Sequence, residues 1–136
     1  MISMRAIAGA STLLAALAGS GCGQSQQPPA KPIKVRSAEQ NQLHQLDALN
    51  LAIALKRAIY DAGYTCKRVT DAGFVADYQN LEVWQAHCEY DRRSAVDWAI
   101  FAGPDGTAQV RDCNDIPGTG LPTCAIKQRP KGSFNS

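Results

Sequence analysis

Several features are missing from this 136-residue sequence, and each absence removes a class of function. Neither charge sign dominates, with 14 Lys+Arg against 12 Asp+Glu. There is thus no basic field for a nucleic acid and no polyanionic tail. The chain has no Gly-x-Ser-x-Gly elbow, no phosphate-binding glycine loop and no His-Glu-x-x-His, so the common hydrolase and nucleotide signatures are absent. It also has no Cys-x-x-Cys pair, and its cysteines lack finger spacing. No metal and no other cofactor is expected. The apolar stretch at residues 6–18 is too short to cross a bilayer, which takes roughly 20 residues. The length allows one small domain plus appendages.

What the chain does have is cysteine, five in all. The first, Cys22, lies just after a segment that reads as an export signal: Arg5 precedes the apolar run, and small residues follow it. Ala16-Leu17-Ala18 offers ordinary cleavage before Gly19. Alternatively, Gly19-Ser20-Gly21-Cys22 resembles the lipobox of bacterial lipoproteins, departing from it at Gly19, where that family usually has Leu, Val or Ile. The resemblance is confined to the signal region. It implies a signal over residues 1–21 and lipidation at Cys22, hence a membrane anchor on the periplasmic face, with the outer membrane favoured. Residues 22–36 follow as a tether rich in Gln and Pro, too polar at its start to form a core.

The domain is expected over residues 37–127, opening with one long helix at residues 38–62. Ser37 and Gln40 have the spacing of a capping box, and no Pro or Gly interrupts the run before Gly63, a candidate C-cap. Asp47, Asn50, Arg57 and Asp61 form one polar stripe, leaving the helix apolar over much of its remaining surface. The excess is either core or an interface. Strand-like patterns follow at residues 64–70, 81–90, 95–102 and 107–113. Asp71-Ala72-Gly73 reads as a bulge or the approach to a further short strand, and Pro104-Asp105-Gly106 as a hairpin turn. Residues 124–126 suit a short edge strand, and residues 128–136 a flexible tail. The sum is an α+β domain: a helix packed on an antiparallel meander of three to five strands.

Without Cys22, the set Cys66, Cys88, Cys113 and Cys124 is even, as two disulfides in an oxidising compartment require. Chain order favours Cys66–Cys88 and Cys113–Cys124, although four cysteines allow three pairings. His87-Cys88-Glu89 invites a nucleophile reading, but neighbours on a strand point to opposite faces. His44 reads as a solvated helix residue. Asp112, Asn114 and Asp115 match no calcium loop, and Asp91-Arg92-Arg93-Ser94 reads as a charged turn. No catalytic set converges, so an enzyme is not expected. Trp84, Trp98 and Tyr90, with Tyr78, are candidate partner-binding residues if they lie on the sheet face away from the helix; core packing is the alternative.

The order of signal, tether, helix, cysteine-bearing strands and Pro-Asp-Gly hairpin is loosely similar to PepSY-type and other small periplasmic domains. That resemblance implies a helix on a short antiparallel sheet and a role in binding or restraining other proteins. It transfers no site residue. The expectation is a non-enzymatic, membrane-anchored interaction or accessory domain with an envelope protein as partner. Two alternatives are an inhibitor of a hydrolase, projecting the loop at residues 114–123, and a small-ligand carrier with an enclosed pocket.

Overall fold

In the computed structural model, Gly23 and residues 34–134 are described; the expected signal, Cys22 and most of the tether lie outside them. Helix α1 spans Ala38–Gln45 and α2 spans Ala48–Asp61. Strands β1 (Arg68–Tyr78), β2 (Leu81–Glu89), β3 (Val96–Ala102) and β4 (Ala108–Asp112) form one antiparallel sheet in the order β1-β2-β3-β4. A 3-10 turn, Cys113–Asp115, leads into an irregular C-terminal segment. The α+β class and the meander agree with the sequence pattern.

The single long helix is corrected to two short ones. Ser37 and Gln40 form the expected capping box of α1, but Leu46 and Asp47 are extended and Asp47 caps a second helix, its side chain accepting from the Asn50 amide. The Ala48 amide, left without an intrahelical partner at this new N-terminus, donates to the Lys131 carbonyl at 2.8 Å. The break is thus completed by residues far along the chain. At the other end Gly63, at φ 87°, takes the left-handed conformation that follows α2.

Strand β1 runs straight through the doubtful Asp71-Ala72-Gly73 step, with register shifts between Val69 and Asp71 and between Phe74 and Ala76. Its partner β2 alternates as the sequence pattern requires. Trp84, Ala86 and Cys88 join Leu51, Leu55 and Ile59 of α2 in the main core, while Val83 joins Val75, Ala99, Phe101 and Ile116 in a second cluster on the opposite face. The Pro104-Asp105-Gly106 turn joins β3 to β4, with Gly106 at φ 81°. Both disulfides pair as chain order favoured, Cys66–Cys88 and Cys113–Cys124.

The expected free tail is also corrected over residues 128–134. No edge strand forms at residues 124–126; instead Gln128 bridges to Phe74, donating to and accepting from its backbone. Arg129 grips Asp71 through two hydrogen bonds, Nε to Oδ1 at 2.9 Å and Nη2 to Oδ2 at 2.7 Å, and Phe134 packs on the main core. The last tether residues likewise belong to the folded unit. Lys34 binds Asp77 and the Leu81 carbonyl, and Arg36 binds Glu82.

Candidate functional site

Of the candidate partner-binding residues, the two tryptophans are not available for contact. Trp84 (3% exposed) and Trp98 (6%) both lie on the helix-covered face, in the core. Trp84 shares strand parity with Ala86 and Cys88, and Trp98 pairs with Ala86 across to β3, which puts both there. Trp84 packs against His44 and Phe74, with ring centroids 4.8 and 5.6 Å away. The Trp98 ring lies 4.6 Å from Tyr64, and its Nε1 donates to the Tyr90 hydroxyl at 3.4 Å. Tyr90 is half-buried, donates to the Thr65 carbonyl and carries the Arg93 guanidinium over its ring at 3.7 Å. Tyr78 is partly buried in the second cluster. The face opposite the helices, expected to be open, is covered by Ile116 and Leu121 from the C-terminal segment.

Two polar clusters could invite a catalytic interpretation. Glu82 is fully buried on the core face, with Arg36 Nε 2.5 Å from Oε1 and His44 Nε2 3.1 Å from Oε2. His44 is therefore no solvated helix residue. The fully buried Gln40 lies on the same helix and donates to the carbonyls of Asn80 and Ala102. Both Glu82 oxygens are engaged, and the cavity beside His44 and Trp84 holds only about 20 Å³. The cluster acts as a lock between the residues preceding α1, the helix itself and β2. Sequence reasoning passed over Glu82, although its strand parity aligns it with Trp84 and Ala86.

The second cluster lies on the opposite face. His87 Nδ1 is 2.8 Å from Asp97 Oδ1, which also accepts from Gln85 at 3.3 Å. Its cross-strand neighbour Asp71 is held below the usual carboxylate range, chiefly by its hydrogen bonds to Arg129, against the opposing effect of partial burial. His87 and the disulfide-bonded Cys88 point to opposite faces, so they form no nucleophile pair. Asp112 caps the 3-10 turn by accepting from the Asn114 amide. Among the described residues no group of three or more His, Cys, Asp or Glu could hold a metal.

The third feature is apolar and open. At 100° per residue, Leu49, Ile53 and Tyr60 form a stripe roughly 130° around α2 from its core-facing residues. Leu49 is 49% exposed, Ile53 55% and Tyr60 49%. Leu49, Ala52 and Ile53 form one wall of a solvent-open groove of about 530 Å³, whose other wall is the start of β1, with Phe134 between them. Lys56, Lys67 and Arg68 line it, opposed by Glu89. The apolar excess foreseen on the helix is therefore divided between core and surface.

The two disulfides indicate an oxidising, extracytoplasmic compartment. No helix among the described residues is long and apolar enough to cross a membrane. The chain matches no family model, no curated protein and no solved structure.

Proposed function

We propose that this protein is a non-enzymatic lipoprotein of the bacterial cell envelope, anchored through Cys22, whose folded domain binds another envelope protein. The observation that carries this reading is the apolar stripe of α2 beside an open groove. Leu49 and Ile53 remain half-exposed on a helix that has already buried Leu51, Leu55 and Ile59 in the core. A monomer gains nothing by presenting that surface to water, whereas an interaction domain uses it. The disulfides support the compartment, and their pairing leaves Cys22 as the fifth cysteine, in the lipobox-like setting.

The alternatives fit less well. A carrier calls for an enclosed pocket, and this groove is open to solvent. An inhibitory loop should project, whereas the segment after β4 is fastened by Cys113–Cys124 and turns Ile116 and Leu121 onto the sheet. The test is crosslinking in intact cells with a bifunctional reagent, followed by purification from the envelope and mass spectrometry. One reproducible, near-stoichiometric protein partner is expected; its absence overturns the interaction reading. Intact mass of the native protein tests the anchor: a diacylglyceryl adduct beginning at Cys22 is expected, and a chain beginning at Gly19 removes it.

A further inference from the structure

Resting on that reading, we propose that the α2–β1 groove receives an extended segment of a partner protein that combines apolar side chains with carboxylates. The apolar part of the recognition comes from Leu49 and Ile53, both about half-exposed, facing Val69 across the groove. The charge preference comes from Lys56. It is half-buried in the groove, and its ammonium donates to the Lys67 carbonyl at 2.7 Å, without a carboxylate partner among the described residues. A cation held against apolar surface with only a neutral acceptor is favourably placed for an incoming carboxylate. Lys67 and Arg68 add positive charge at the rim. They share Asp91, and Arg68 also approaches Glu89 at 3.9 Å, so the acids nearby do not cancel the three cations.

The extended conformation follows from the far wall. Strand β1 is one of the two outer strands of the sheet, and among the described residues its outer edge is bridged by backbone only at Phe74. The edge beside the groove therefore lies open to main-chain pairing. A second copy of the chain is disfavoured as the occupant, because a two-fold contact would set Lys56, Lys67 and Arg68 against the same cations. A bilayer surface is disfavoured by the concave shape.

The test pans a displayed library of random dodecapeptides against the full chain, then measures selected peptides by fluorescence anisotropy. Selected sequences should pair apolar residues with Asp or Glu. Ile53→Asp and Lys56→Glu should each weaken binding by at least about tenfold, and a Glu-to-Lys peptide should recover binding to the Lys56→Glu variant. Both positions are on the surface, so unchanged circular dichroism and melting temperature show that the variants fold. Failure to enrich peptides, selection of basic ones, or indifference to Ile53→Asp overturns the proposal. So does an Ile53→Asp-sensitive attachment to phosphatidylglycerol–phosphatidylethanolamine vesicles, or an Ile53→Asp-sensitive dimer in sedimentation. If the crosslinked envelope partner is retained by Ile53→Asp, the interaction reading stands and only the groove assignment fails.

Discussion

On one face of the sheet, α1 and α2 bury a continuous set of large side chains, from Leu51 and Ile59 through Trp84 and Trp98 to Val110. On the other face, an irregular segment lays Ile116 and Leu121 over Val75, Val83 and Phe101. Each face has its own disulfide, and the contrast between them is instructive. Cys66–Cys88 spans 22 residues and is fully buried, whereas Cys113–Cys124 spans 11 residues at the partly exposed base of a loop. Loop entropy assigns about 3 kcal/mol to each, so it does not distinguish them. Burial does: the first bridge is part of the core, and the second fastens a cover.

The largest predicted effect follows from that difference. Replacing Cys66 and Cys88 together with serine leaves two hydroxyls in an apolar core as well as releasing the loop. A loss of about 4 kcal/mol is expected, lowering the melting temperature by roughly 15 °C or more. The corresponding Cys113/Cys124 variant should lose under about 2 kcal/mol, because the cover can open without unfolding the helix face. Hydrogen exchange should then rise around Val83 and Ala99 while α2 stays protected. Equal losses in both variants would erase the distinction between core and cover.

Next in size is Glu82, the buried charge of the helix face. Glu82→Ala removes both the Arg36 and the His44 contacts and leaves a hole beside Trp84. A cost of about 3 kcal/mol in urea unfolding is expected, moderated because Arg36 can rehydrate. Glu82→Gln keeps the volume and should cost roughly half as much. If neither variant differs from wild type, the lock between β2 and the residues before α1 contributes nothing. On the opposite face the comparable point is Gly73. A Cβ there would collide with the Gln128 carbonyl oxygen and Ile126 Cγ2. Gly73→Ala should cost about 1–2 kcal/mol by displacing residues 126–128, with exchange increasing at the Phe74 amide.

Much of this architecture was legible where the signals are local. The Ser37 capping box, the Pro-Asp-Gly turn and the alternation of β2 are set by neighbouring residues and period, and they fold as read. The break at Leu46–Asp47 was less legible. Asp47 is a good N-cap residue, but it also fits a helical polar stripe, and the deciding Lys131 carbonyl lies far along the chain. The ordering of residues 128–134 escaped notice for the same reason: Gln128, Arg129 and Phe134 have no local pattern and gain order from Phe74, Asp71 and the core. For the site, periodicity had already marked α2 as too apolar for one buried face, which is the stripe now seen at Leu49 and Ile53. Of the two readings the tryptophans allowed, core packing holds: Trp84 shares parity with Cys88 on β2, and Trp98 pairs with Ala86 from β3, a register that the sequence alone does not fix.

The smallest predicted effect tests whether the chain around Arg129 is held on β1 by charge or by packing. Asp71 binds Arg129 with both oxygens, and this pairing holds its pKa below the ordinary 3.8. A carboxyl whose folded value is depressed contributes stability that is complete above the unfolded value and is lost as pH falls through the folded one. Arg129→Ala should therefore weaken the protein slightly at neutral pH. The effect should be small, because both partners are substantially exposed and solvent screens the pair. It should begin to shrink as pH falls below about 4 and approach zero only once pH has fallen through the depressed value of the wild-type Asp71, which protonates later than the variant's. Denaturant midpoints measured at neutral and strongly acidic pH provide the check. A difference that persists unchanged in acid would mean that the arginine stem, rather than its charge, keeps the C-terminal segment against β1.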